Sequence, residues 1–176
     1  MGVGRAALAA VGCLVASSLL SGCSPVVSGT VGITTTDAGR LEIVVVTCGR
    51  AVDWLTVTGS SRGSSTSGVQ ARWDADPAAA PGTVTRVPND GSAAPWTLST
   101  APLGAATTDL DPGWVYSAWA GSDGNLLDGA VRTRAVTATG TDLAALRPGY
   151  AIVPLEEEPV RVDTYVAGAC AGESGT

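Results

Sequence analysis

Hydrophobic and polar residues alternate in short runs through most of the chain after residue 29, and turns rich in Gly, Pro, Asn and Asp separate these runs. A two-residue period with many β-branched residues is typical of half-buried β-strands. The pattern places strands at Thr30–Thr36, Leu41–Cys48, Trp54–Thr58, Val69–Asp74, Gly82–Val87, Trp96–Thr100, Gly113–Ala120, Ala130–Ala138, Tyr150–Leu155 and Val160–Val166.

One strand and one helical turn stand out from this pattern. The segment Leu41–Cys48 is apolar on both faces except at Glu42, which predicts a central strand buried on each side. Thr141 is a suitable cap for a helical turn from Asp142 to Leu146. With no long helical period, we expect an all-β fold: an immunoglobulin-like β-sandwich or a partly open barrel of about 8–10 short strands, with one short helical turn near 142–146.

The first 22 residues have the pattern of a signal peptide. Arg5 precedes an apolar run from Ala7 to Leu20, which is shorter than the roughly 20 residues needed to span a bilayer. Leu20-Ser21-Gly22-Cys23 follows, and it resembles the bacterial lipobox, in which the cysteine receives a diacylglyceryl group before cleavage. The alternative is an ordinary signal peptide in which Cys23 is incidental.

The remaining chain divides simply. We expect a signal peptide at 1–22, a lipidated short tether at 23–29, a single β-domain at 30–172 and a disordered tail at 173–176. The predicted location is the extracytoplasmic face of the cell membrane, with the acyl groups on Cys23 as the anchor.

Two cysteines remain once Cys23 is assigned to lipid and Cys13 to the signal peptide. In an oxidising compartment, a disulfide between Cys48 and Cys170 is the natural interpretation. It would close a loop of about 120 residues and contribute roughly 4–5 kcal/mol in the chain-entropy treatment. The alternative is a pair of free or metal-binding thiols, although there is no histidine and no CxxC spacing to favour zinc.

Composition excludes several classes of function. The formal net charge is −6 and the ten basic residues, all arginines, are scattered along the chain, so the clustered positive charge of a nucleic-acid-binding surface is not expected. Gly59-Ser60-Ser61-Arg62-Gly63 matches the letters of the GxSxG nucleophile elbow, but the chain has no histidine to serve as the base. We therefore expect no enzyme, no metal and no cofactor.

Two weaker candidate sites remain. Asp109, Asp111, Asp123 and Asp128 lie near the Gly113–Ala120 strand and would suit a carboxylate-dependent hydrolase acting on envelope glycan, although Asp in such contexts is ordinary turn chemistry.

Trp114 and Tyr116 share one face of the Gly113–Ala120 strand, and Trp119 points to the other. If Trp119 faces the core, Trp114 and Tyr116 form an exposed ledge for a glycan or protein ligand. The alternative is that their face packs in the core.

Three segments, LEIVVVTC, DWLTVTG and TDLAALRPGYAIVPL, resemble a family of uncharacterised actinobacterial membrane lipoproteins. Members share the lipobox, an early G-x-V-x-I strand, a cysteine ending the second strand, a D-L-x-x-L-x-P-G turn and a late cysteine. The matching positions here are Gly29–Ile33, Cys48, Asp142–Gly149 and Cys170. The resemblance supports anchoring and the disulfide but implies no activity. We therefore expect a non-enzymatic envelope binding or scaffold module whose partners are the membrane and an envelope protein or glycan; a purely structural surface lipoprotein is the remaining alternative.

Overall fold

The computed structural model describes residues 25–63, 69–91, 93–100, 110–124, 129–171 and 173. Within these residues there are eleven strands and two short helices, which confirms the predicted all-β class. The strands are β1 (Val26–Thr35), β2 (Leu41–Val46), β3 (Val52–Ser61), β4 (Val69–Ala79), β5 (Val84–Pro88), β6 (Trp96–Leu98), β7 (Trp114–Ser122), β8 (Val131–Arg134), β9 (Val136–Thr139), β10 (Tyr150–Ile152) and β11 (Val160–Arg161). The helices are α1 (Gly140–Ala144) and α2 (Val162–Gly168).

The strands form one sheet that curls into a nearly closed barrel. From edge to edge the order is β5, β2, β1, β8, β7, β3, β4 and β6. β9 continues β8 along β7, while β10 pairs with the second half of β1 and carries β11 on its other side. Of the two predicted architectures the barrel is therefore observed, and the chain does not divide into two packed sheets. We call the end where β1 and β8 begin the amino-terminal end.

A hydrophobic core fills the barrel. Every second residue of each long strand points inward, and the two large indoles of Trp73 and Trp96 fill the space near β4 and β6. The Trp73 Nε1 donates a hydrogen bond to the Gly91 carbonyl over 2.9 Å. The strands β1, β2, β3 and β7 supply Val31, Ile33, Leu41, Ile43, Val45, Leu55, Val57, Ala118 and Ala120.

β2 is buried on both faces, as its apolar sequence predicts. Its inward residues join the barrel core, whereas Val44 and Val46 point outward into a second cluster. α2 covers this outer cluster with Val162, Tyr165 and Ala169. The sheet is thus sandwiched locally between the barrel interior and a helix on the outside.

The structure corrects the strand predicted at Val160–Val166. Only Val160–Arg161 is a strand, and the chain then turns into α2. Val162, Tyr165 and Ala169 are spaced as one face of a helix, so burying them together against β2 outweighs the β preference of their neighbours.

The predicted disulfide between Cys48 and Cys170 is present, with the two Cα atoms 5.5 Å apart. It joins the residues just after β2 to the residues just after α2, so it holds the helix against the outer cluster. Gly32 gives Tyr165 room to approach β1, because a Cβ there would lie 3.0 Å from the Tyr165 ring. The Tyr165 hydroxyl donates to Thr30 Oγ1 over 3.2 Å, and burial raises the pKa of Tyr165 to about 12.

Both ends of the domain differ from the predicted boundaries. β1 begins at Val26, inside the segment 23–29 predicted as a tether, because Val26 and Val27 pair in parallel with β8. Glu173 was predicted to begin the disordered tail, yet its carboxylate oxygens accept hydrogen bonds of 3.0 and 3.1 Å from the Gly29 amide. Cys23 and residues 174–176 lie outside the described part of the chain.

α1 starts earlier than the predicted turn. Its cap is Thr139 rather than Thr141, in a reciprocal box with Asp142. The Thr139 hydroxyl and amide both donate to Asp142 Oδ2, and these bonds lower the pKa of that carboxyl. Leu143 of α1 enters the barrel core, so the short helix closes the end opposite the amino-terminal end.

We predict that the disulfide contributes several kcal/mol to the stability of the domain. Replacing both Cys48 and Cys170 by Ala should lower the free energy of unfolding by up to about 4–5 kcal/mol, because the unfolded chain regains the entropy of a long loop. Urea unfolding followed by circular dichroism measures this change. An unchanged unfolding midpoint, or two titratable thiols in the unreduced native protein, would contradict the prediction.

Candidate functional site

The outer face of β4, β3, β7 and β8 carries a row of aromatic and charged side chains. Strand register aligns Asp74 with Trp54, Trp54 with Gly121, and Gly121 with Arg132. Leu55 of β3 points into the barrel, so its neighbour Trp54 points outward. We call the surface formed by Trp54, Thr56, Arg72, Trp119 and Arg132 the arginine–tryptophan face.

Trp54 lies flat at the centre of this face and is only 4% exposed. Gly121 creates the space, since a Cβ at that position would lie 2.7 and 2.9 Å from the indole Cζ2 and Cη2 atoms. The guanidinium carbon of Arg132 lies 4.3 Å from the indole centre, and that of Arg72 lies 5.4 Å from it. Stacking of this kind contributes about 0.5–2 kcal/mol per pair.

The two arginines differ in their charge partners. Arg72 Nε donates to Asp74 Oδ1 over 2.9 Å, so its charge is balanced locally. Arg132 forms no ion pair with any residue that the structure describes. Its guanidinium is therefore held in place by the indole while its donors stay available to an anion.

A buried donor lies within the same face. Trp54 Nε1 is shielded from solvent and has no hydrogen-bond acceptor among the described residues. An unsatisfied buried N–H costs about 1–3 kcal/mol, so an oxygen atom from water or from a ligand would be favourable there.

Hydroxyl groups and a second indole extend the face away from Trp54. Thr56 aligns with Trp119, and Thr58 aligns with Ser117. The Ser117 and Thr137 hydroxyls are 3.1 Å apart, and Trp119 is partly exposed. Arginine, indole and hydroxyl groups thus lie side by side on one rigid sheet surface.

The predicted ledge of Trp114 and Tyr116 is wrong. Tyr116 is 3% exposed and belongs to the barrel core, with Trp114 packed against the same core and their ring centres 6.4 Å apart. The Tyr116 hydroxyl accepts a hydrogen bond from the Asp111 amide over 3.0 Å, and burial raises its pKa. The prediction that Trp119 lies on the opposite face of β7 from Trp114 and Tyr116 was correct, but the exposed face is the one that carries Trp119. Trp119 is therefore the candidate for ligand contact on this strand.

The pairing partners on β3 explain which face of β7 is inside. Ala118 and Ala120 align with Val57 and Leu55, whereas Trp119 aligns with the polar Thr56. This signal becomes visible only when the two strands are placed side by side, and the sequence of β7 alone does not contain it.

The aspartate candidates do not converge where the structure describes them. Asp111 Oδ1 accepts a hydrogen bond from the Gly113 amide over 2.8 Å, which is turn chemistry. Asp123 is exposed after the end of β7, and Asp109 and Asp128 lie outside the described residues. No group of three potential metal ligands occurs within the described ranges.

Ser61 of the GxSxG-like segment is the last residue of β3 and is followed by a turn. A nucleophile elbow needs a strand, a sharp turn and then a helix, and residues 62 and 63 do not begin one. The segment is therefore the carboxyl-terminal end of β3 with the turn that follows it, not a nucleophile elbow.

A cleft of about 280 Å³ lies on a different part of the surface, beside α2. Thr30, Arg134, Tyr165 and the connection between β10 and β11 line it. Leu155 in that connection has a left-handed backbone (φ 70°) and is 89% exposed, which is unusual for a leucine.

No protein-family model, no curated protein sequence and no solved structure matches this chain. In the described residues no helix combines the length and hydropathy required to cross a bilayer.

A substitution at Gly121 tests whether this glycine makes the space that Trp54 occupies in the arginine–tryptophan face. Gly121→Val should displace the Trp54 indole and lower stability by about 1–3 kcal/mol, because the new side chain overlaps Trp54 and the Val131 carbonyl. Urea unfolding and the near-ultraviolet circular dichroism of the indoles report both effects. Gly168→Ala is the matched control, since nothing lies within 4 Å of a Cβ there. If the two variants had the same stability and the same near-ultraviolet spectrum, the close contact between Gly121 and Trp54 would be contradicted.

Proposed function

We propose that the mature chain is an extracytoplasmic protein anchored to the cell membrane by lipid on Cys23. The observation that carries this proposal is the Cys48–Cys170 disulfide, because such bonds persist in oxidising compartments. The lipobox-like Leu20-Ser21-Gly22-Cys23 directly precedes the domain, with only Ser24 and Pro25 between Cys23 and β1. The resemblance to actinobacterial lipoproteins supports the same location.

The proposed role is non-enzymatic binding. The chain has no histidine, and Asp111, one of the candidate aspartates, holds a turn. The arginine–tryptophan face instead presents arginine, tryptophan and hydroxyl side chains on the surface of a sheet, which suits ligand binding without catalysis. Among the residues that the structure describes, no contact therefore favours a hydrolase.

The ligand class that fits this face best is an anionic glycan of the cell envelope. Arg132 can pair with a carboxylate or phosphate, and the partly exposed Trp119 can lie against the apolar side of a sugar ring. The hydroxyls of Thr58, Ser117 and Thr137 can exchange hydrogen bonds with sugar hydroxyls. A protein partner would be expected to require a larger exposed apolar centre than the single indole of Trp119.

Lipid anchoring is tested by the intact mass of the membrane-extracted protein. We expect a chain beginning at Cys23, with added diacylglyceryl and acyl mass and no free thiol. Cys23→Ser should yield a chain that carries no lipid mass and keeps residues 1–22, because the thioether cannot form and lipidation precedes cleavage. Mature protein in the culture fluid with an unmodified Cys23 would contradict the proposal.

Ligand binding is tested by cosedimentation of the detergent-solubilised lipidated protein with isolated cell envelope. Arg132→Gln and Trp119→Ala should each weaken binding about tenfold, or about 1.4 kcal/mol, through loss of a charge pair or a stacking surface. Arg161→Gln is the control, since Arg161 is paired with Asp163 beside α2.

Protease treatment of the envelope before the assay separates the ligand classes. Binding to a glycan should survive the treatment, and loss of binding would indicate a protein partner instead. Equal binding by the Arg132, Trp119 and Arg161 variants would exclude the arginine–tryptophan face.

A further inference from the structure

The large hydrophobic residues that remain exposed are concentrated on one side of the domain. Within the described residues they are Val26, Val27, Val84 and Leu155, with exposed fractions of 48, 54, 46 and 89%. Most large hydrophobic side chains elsewhere in this part of the chain are buried in one of the two clusters. The four exceptions call for a common explanation.

Strand register relates the three valines to the first half of β1, and a shared cleft relates Leu155 to it. Val26 and Val27 begin that strand. Val84 aligns with Val46, which in turn aligns with Thr30 of β1. Leu155 lines the same cleft as Thr30. Each residue therefore lies toward the amino-terminal end of the barrel, where β1, β5 and β8 begin.

The opposite end of the barrel has a different character. Its turns carry Asp37, Arg40, Asp90 and Asp111, and Arg40 forms an ion pair with Asp90. None of the exposed large hydrophobic residues of the described chain lies in these turns. The two ends thus differ in the number of large hydrophobic side chains that they expose.

Chain length fixes what must lie next to the amino-terminal end. Three residue steps separate Cys23 from Val26, and fully extended chain covers at most about 11 Å over that distance. A lipid on Cys23 therefore leaves the start of β1 within reach of the headgroup region. The interfacial region is where apolar side chains and lipid-proximal protein segments meet.

We propose that Val26, Val27, Val84 and Leu155 form a membrane-docking surface that rests on the lipid bilayer. This inference depends on the proposed acylation of Cys23. The charges at this end are mixed: the exposed Glu156, Glu157 and Glu158 follow Leu155, Arg134 lines the same cleft as Leu155, and Arg50 lies beside Asp53. Docking therefore relies on apolar contact, and it should be insensitive to ionic strength and occur on zwitterionic lipid.

The experiment uses the acylated full-length mature protein in nanodiscs of phosphatidylcholine. A small fraction of lipid with a gadolinium-chelating headgroup weakens the amide NMR signals of residues close to the bilayer. We expect the greatest loss of signal at Val26, Val27, Val84 and Leu155, and the least at the opposite end. The pattern should not change when salt is raised.

A triple variant, Val27→Ser with Val84→Ser and Leu155→Ser, removes most of the docking surface. These side chains are exposed, so the fold should survive. Signal loss at residues 84 and 155 should then fall toward that at the opposite end, whereas residues 26 and 27 stay near the bilayer because the tether to Cys23 is short. Val115→Ser is the matched control because Val115 aligns with Thr139 at the opposite end, and this variant should retain the wild-type pattern.

The outcomes distinguish the two proposals. Absence of acyl mass on Cys23, or protein that does not enter the nanodisc fraction, defeats the anchoring proposal. Acylated protein in the nanodisc whose signal loss at Val84 and Leu155 is no greater than at Asp37 and Asp90 overturns the docking surface while leaving anchoring intact.

Discussion

The outer face of β2 is apolar except at Glu42, and this constraint shapes the rest of the domain. A strand in a barrel normally turns one face to the core and the other to water, yet Val44 and Val46 point outward. Leaving them exposed would forfeit roughly 1.5–3 kcal/mol per side chain, so an external element must cover them. α2 is that element, and the Cys48–Cys170 disulfide keeps this short helix, which would be unstable alone, next to β2.

The same arrangement brings the two ends of the domain together. Gly29 sits at a bulge in β1 with a left-handed backbone (φ 86°), where any Cβ would collide with the Val46 carbonyl. Its amide is turned toward Glu173, which lies just past the disulfide. A lipid on Cys23 would therefore pull on a part of the barrel that is tied to β2, β8 and the chain end at once.

The sequence predicted those features that a single segment determines. The burial of β2 follows from its own apolar residues, and the disulfide follows from the number of cysteines and the expected compartment. Features that depend on a partner segment were not predicted. α2 is helical because β2 presents an apolar outer face to it, and Tyr116 is inside because Leu55 and Val57 are opposite its neighbours on β7. The arginine–tryptophan face was missed for the same reason, since Trp54, Gly121 and Arg132 belong to three strands.

The proposed ligand face and the proposed lipid anchor both depend on a barrel in which α2 and the Cys48–Cys170 disulfide secure the outer face of β2. Native-state hydrogen exchange of the Val44, Val45 and Val46 amides tests this claim most directly. In the oxidised protein these amides should exchange only through global unfolding. After reduction they should exchange through a smaller opening that leaves β3 and β7 protected. Equal protection of β2 in the oxidised and reduced protein would contradict the claim.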